Sequence, residues 1–245
     1  MILALFDAIT GRDARDRTVS GLYRRRVPLG TPLTLTTDRT PSSTHLRLSD
    51  ATSTLVEGSV GPGRGAPETA TVSRALRVAP TRQTALPVSK TCFACGTENT
   101  LGLRARLTID DDRVSGTWTP SDAFRAAEAL APVALTTLLD EAAFWLGAAA
   151  SGEAGMTTDL RVRLHAPATY GGIVVAGSRA SVQPSAEDSR YWQTDVAAWD
   201  ESGALVASAA ITFVAVRGAA RKLVTGLLGD NPPDVLRRVF PTYVR

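Results

Sequence analysis

Ala131-Pro-Val-Ala-Leu-Thr-Thr-Leu-Leu-Asp-Glu-Ala-Ala-Phe-Trp-Leu-Gly147 sets two acids, Asp140 and Glu141, into a stretch that is otherwise apolar or neutral on every side. Pro132 suits a first helical position and Gly147 an end, so the spacing predicts a helix over 132–147. A helix without a polar face must be buried nearly all round. Carboxylates in such a helix lose solvation, which raises their pKa and makes them stronger bases than exposed ones. Thr136 lies one turn before Asp140 and Thr137 one turn before Glu141, where hydroxyls can hold the acids. Phe144 and Trp145 follow one turn beyond, either as core or as the lining of an apolar pocket.

A weaker copy of this helix opens the chain, where Ile2-Leu-Ala-Leu-Phe-Asp-Ala-Ile9 puts Asp7 in the place of Asp140. The echo continues downstream. Asp50-Ala-Thr-Ser-Thr-Leu-Val-Glu57 overlays Asp200-Glu-Ser-Gly-Ala-Leu-Val-Ala207 without a gap, each reading as strand, polar turn and strand. Val19, Gly21 and Tyr23 fall over Leu160, Val162 and Leu164. One unit used twice is therefore expected.

The alternation of apolar residues predicts a helix stub over 1–10 and strands near 18–26, 31–38, 43–49 and 53–60. Gly61-Pro-Gly-Arg-Gly-Ala-Pro67 breaks the pattern and marks 61–90 as a linker, within which 69–78 alternates enough to add a strand to the first sheet. A second unit then runs over 91–217, with strands near 103–109, 113–118, 157–165, 172–183, 189–199 and 204–216. The tail, 218–245, carries a short capped helix within 231–240. Long antiparallel strands around a buried helix give an α+β fold.

The 245 residues, 44% hydrophobic and 21% charged, suffice for an ample core. The formal charge of +3 comes from arginine rather than lysine, Lys90 and Lys222 being the only lysines, with acids interspersed. No case for nucleic acid follows, and Arg24-Arg25-Arg26 reads as a solvated strand end. No apolar stretch approaches transmembrane length, and residues 1–9 make a poor signal peptide because they include Asp7 and lack a basic leader or a cleavage site. A cytoplasmic location is the default expectation. Cys92 and Cys95 form one Cys-Phe-Ala-Cys-Gly element. Without secretory features this leaves structural thiols, a shared metal site or redox chemistry as alternatives, and no cofactor is demanded.

Cys92-Phe-Ala-Cys-Gly-Thr-Glu-Asn-Thr-Leu-Gly-Leu103, the Leu138-Leu-Asp-Glu141 helix, Thr157-Thr-Asp-Leu-Arg-Val-Arg163 and Ala207–Val216 together resemble the phenylacetic-acid-degradation type of acyl-CoA thioesterase. The likeness covers about 92–216 in full, while 1–60 resembles only the part of that fold from the helix onward. It implies a double hot-dog, with antiparallel sheets each wrapped around a central helix and an incomplete first unit. It further implies hydrolysis of an acyl-CoA thioester, with Asp140 as base and Thr157 orienting the water. Where that family carries His-Gly-Gly, this chain has Ala131-Pro132-Val133. Pro132 offers no N–H, so the oxyanion role would pass to Val133 or Ala134. Glu141 is a weaker catalytic candidate than Asp140, and Asp7 weaker still. Arg161 and Arg163 are candidates for the CoA phosphates. The alternative is a non-catalytic acyl-CoA-binding or scaffold protein that has lost the signature. The tandem unit could itself form a homodimer.

Overall fold

The computed structural model describes residues 1–10, 16–63, 72 and 82–244. The first unit comprises helix α1 (Ile2–Thr10) and strands β1 (Arg17–Tyr23), β2 (Thr34–Arg39), β3 (Thr44–Ser49) and β4 (Thr54–Pro62). After two short strands, β5 (Thr84–Ala85) and β6 (Thr108–Ile109), come β7 (Arg113–Trp118) and the short pair β8 (Arg125–Ala126) and β9 (Ala129–Leu130). Helix α2 (Pro132–Ser151) follows, then β10 (Gly155–Leu164), β11 (Ile173–Ser178), β12 (Gln183–Pro184), β13 (Tyr191–Asp200) and β14 (Leu205–Ala215). Helices α3 (Ala219–Leu227) and α4 (Pro233–Val239) close the described chain.

One antiparallel sheet runs through both units in the order β2-β3-β4-β1-β10-β14-β13-β11-β7-β6-β5. Helix α2 packs on β7, β10, β11, β13 and β14, and α1 packs on β1, β4 and α2. The core is continuous across the join, from Leu3 and Phe6 through Leu138, Leu139, Ala142 and Leu146 to Ile211. By length and composition α2 is apolar enough to cross a membrane, contrary to the sequence expectation. Here its apolar surface is taken up by the five strands and α1.

The join is β1 against β10. Val19 pairs with Val162 and Gly21 with Leu160, so the positions that overlay in sequence, Val19 on Leu160 and Gly21 on Val162, are exchanged across the ladder. A two-fold relation between the units places its axis there. The hairpins also correspond, each slipping register at the end of its first strand, after Leu48 in β3 and after Ala198 in β13. Their turns differ by one residue, however, since Ser49 pairs with Thr54 and Trp199 with Leu205. The gapless overlay of 50–57 on 200–207 is therefore off by one beyond the turn.

Several boundaries differ from expectation. Helix α2 runs one turn past Gly147 and ends at Gly152, whose φ of 69° is the left-handed C-cap. Gly147 is instead a close-approach position, where a Cβ would stand 2.5 Å from the Phe213 ring. The expected strand at 103–109 shrinks to two residues, and 172–183 is divided by a 3-10 turn at Arg179–Ser181. Helix α3 was not expected; helix α4 was. The proposed strand at 69–78 lies outside the described residues except for Val72. Val72 is buried against Ala176 and Ala197 of the second unit.

Candidate active site

Asp140 and Thr157 meet at the junction of the two units. Thr157 Oγ1 donates to Asp140 Oδ1 at 2.6 Å. The contact depends on a β-bulge, because β10 shifts register against β14 between Thr157 and Asp159. In an unbroken strand Thr157 and Leu160 would face opposite sides, three residues apart. The extra residue turns Thr157 to the inner face, where it lines the same cleft as Leu160.

That cleft, of about 320 Å³, is lined by Tyr23 from the first unit and by Asp140, Glu141, Phe144, Met156, Thr157 and Leu160. Burial pushes the Asp140 carboxyl up from its ordinary value, and the Thr157 hydrogen bond draws part of that back. Tyr23 is likewise pushed up, by burial and then by the charge of Asp140. Asp140 forms no salt bridge among the described residues. Asp7, its counterpart, is buried and clamped by Arg17, whose Nε and Nη2 donate to the two carboxylate oxygens at 2.5 and 2.6 Å. An acid facing a cleft and an acid held by an arginine thus occupy corresponding helices.

Glu141 lines the same cleft. Its Oε1 accepts from Trp145 Nε1 at 2.8 Å, and the two cysteine sulfurs lie beside it. Burial pushes Glu141 up to about 7, with Cys92 adding to the effect. The two thiols act on each other: the Cys95 thiol draws Cys92 down, while Cys92 and burial push Cys95 up.

The other candidates are spread more widely. Thr136 is buried and spends its hydroxyl on Val133 O at 3.2 Å. The Thr137 hydroxyl is buried with no partner among the described residues, one helical turn before Glu141. Phe144 lines the cleft and stacks edge-on with Trp145 and Phe213, at 5.1 and 5.7 Å between ring centres. Arg163 is bonded to Asp16 through two contacts of 2.7 and 2.6 Å, and Arg161 lines a separate depression with Asp159 and Gln193. Neither arginine lines the Asp140 cleft. His45 contacts Ser43 and His165 contacts Ser208, and neither lines it either.

At the start of α2, Ala134 N–H is already committed to Ala131 O at 3.0 Å. Val133 lies seven residues before Asp140, about 10 Å along the helix axis, too far for both to reach one carbonyl centre. The amino end of α1 is near enough to the acid for Met1 and Asp140 to affect each other electrostatically. In α1, Leu5 N–H donates to Met1 O at 3.2 Å, and Ile2, Leu3 and Ala4 form the first turn. Sequence reasoning missed this contribution and Tyr23, Met156 and Leu160, because pairing across the units has no local signature.

No protein-family model and no curated protein matches this chain. Solved structures do. The dehydratase domain from the CurJ module of the curacin polyketide synthase superposes with a TM-score of 0.59 at 9% identity, covering 88% of this chain and 80% of that one. A Novosphingobium aromaticivorans protein provisionally designated a thioesterase gives 0.56 at 20% identity, over 88% and 86%. A protein with a hot-dog fold from Alicyclobacillus acidocaldarius gives 0.51 at 12%, over 88% and 85%. The chain has the hot-dog fold. Its particular form is a double hot-dog, two units on one continuous sheet, the first built, among the described residues, from α1 and β1–β4.

Proposed function

We propose that this protein hydrolyses an acyl-CoA thioester to the free acid and CoA. The observation that carries the reading is the contrast between Asp140, which opens onto a cleft beside a hydroxyl, and Asp7, which is tied to Arg17. A water on Asp140 would give up its proton to the free carboxylate oxygen as it attacks the thioester carbon, and Thr157 would orient it. Negative charge developing on the carbonyl oxygen would be met by N–H groups in the first turn of α1, assisted by the helix dipole. The sulfur would leave as the CoA thiol, taking the proton held by Asp140. Phe144, Leu160, Met156 and Tyr23 offer an apolar bed for the acyl chain.

A dehydratase similar to the polyketide synthase neighbour would call for a histidine beside the acid, and neither histidine lines this cleft. The test is CoA release from short, medium and aryl acyl-CoA thioesters by the intact chain and by Asp140→Asn. Turnover in the parent that disappears in the variant supports the proposal. Turnover unaffected by the substitution removes Asp140 as base, and a folded protein without turnover on any thioester favours a binding or scaffold role.

A further inference from the structure

The Cys92-Phe-Ala-Cys95-Gly96 turn has no part in the chemistry proposed for Asp140, yet its shape is closely specified. Gly96 N–H donates to Cys92 O at 3.0 Å, and a Cβ at Gly96 would stand 2.2 Å from that same oxygen. Ser89 Oγ accepts from the N–H groups of Thr91 and Cys92 at 3.3 and 3.2 Å. Asn99 Nδ2 ties the loop from the other side, donating to Thr91 O and Cys92 O at 3.1 and 3.4 Å.

Glu141 completes the cluster from α2. The Cys92 and Cys95 sulfurs and a Glu141 carboxylate oxygen all lie within 4.8 Å of one another. Cys95 is buried, and Cys92 and Glu141 are half-buried. Glu141 forms no salt bridge among the described residues. Two thiols and a carboxylate cost little here while protonated, and a cation would stabilise their ionised forms.

We propose that Cys92, Cys95 and Glu141 bind a zinc ion, with two thiolates and one carboxylate as ligands and the fourth position left to solvent or a small ligand. Thiolates select zinc over magnesium or calcium. Zn–S bonds of about 2.3 Å and a Zn–O bond of about 2.0–2.2 Å require the donor atoms to stand about 3.5–3.8 Å apart, within reach of small side-chain rotations. The Trp145 N–H on Glu141 Oε1 would orient the carboxylate from outside the coordination sphere. Binding would release the protons still held by the three ligands to solvent. The ion would fasten the 89–103 loop to α2 at the residue next to Asp140.

The experiment uses the intact chain, kept reduced, stripped of metal and titrated with Zn2+ or Co2+. The expected result is about one ion per chain, with a thiolate-to-Co2+ charge-transfer band in the near ultraviolet. Cys92→Ser should remove about half of that band, leaving one thiolate. Glu141→Gln should weaken zinc at least about tenfold in competition with a chromophoric chelator, and Trp145→Phe should weaken it about 10- to 100-fold while keeping the core filled. The proposal is overturned if the reduced protein retains no ion, if Glu141→Gln binds as tightly as the parent, or if the cysteines close to a disulfide that zinc does not prevent under reducing conditions. Should the ligand variants fail to fold, unchanged affinity in Trp145→Phe overturns it as well. None of these readouts depends on turnover.

Discussion

Thr157 reaches Asp140, at 2.6 Å, only because β10 is bulged immediately after Thr157. The bulge leaves one residue unpaired and brings a hydroxyl from a central strand to the acid on the helix.

Removing that hydroxyl acts on the acid as well as on the water. The Thr157 hydrogen bond holds Asp140 below where burial alone would put it. Thr157→Ala should therefore move the acid limb of the kcat/KM profile to higher pH and lower kcat about 10- to 100-fold. Thr157→Ser should restore both. A profile that keeps its acid limb in Thr157→Ala would detach this residue from the base.

Asp140→Asn should abolish catalysis and stabilise the fold. The folded-state pKa of Asp140 is raised, so its contribution to stability is full below the unfolded value and is lost as pH rises through the folded one. At neutral pH the neutral amide escapes that loss. Denaturant unfolding at pH 7 should show a gain of about 1 kcal/mol, the kind of gain seen when a strained functional group is removed. The gain should vanish in acid.

The Asp7–Arg17 clamp behaves oppositely. Arg17→Ala strands a buried carboxylate and should cost about 3–5 kcal/mol, whereas Asp7→Leu with Arg17→Met should fall close to the parent. Urea midpoints of the two variants decide it: equal losses would mean that the clamp is not a pair interaction.

Proline offers a test of the oxyanion site, because it deletes an N–H yet is tolerated in a first helical turn. Ile2→Pro should lower kcat about 10²- to 10³-fold if the start of α1 receives the oxyanion. Val133→Pro should leave kcat alone. The reverse pattern would return the role to α2.

Gly147→Ala drives a methyl into Phe213, which also stacks on Phe144. Overpacking of this kind costs about 1–3 kcal/mol. A thermal melt that does not move would indicate that the Phe213 ring yields freely.

Much of the fold was legible because it rests on residue patterns. A helix apolar on every side announced a sheet around it, and the paired segments announced the second unit. Gly147 was misread because a glycine at a crowded crossing looks, in sequence, like one at a helix end. The turn of Asp200–Ala204 was misaligned because one added polar residue leaves no trace in the alternation. At the site, Asp140 stood out as an acid in an apolar helix, but the bulge at Thr157 could not, since Thr-Thr reads as ordinary strand. Arg161 and Arg163 were drawn in by charge alone, although the strand sends them to the face away from the cleft. Glu141 and the cysteines lie far apart in sequence, and only the folded loop brings them together.

The continuity of the sheet through β1 and β10 has a consequence for how the two halves can change. In a pair of identical subunits any substitution appears twice, so an arginine that silenced one acid would silence both. Here a single covalent chain lets Arg17 lock Asp7 while Thr158, its overlay partner in the second unit, leaves Asp140 unlocked. One half is free to serve as support, and the other can keep the less stable arrangement that chemistry needs.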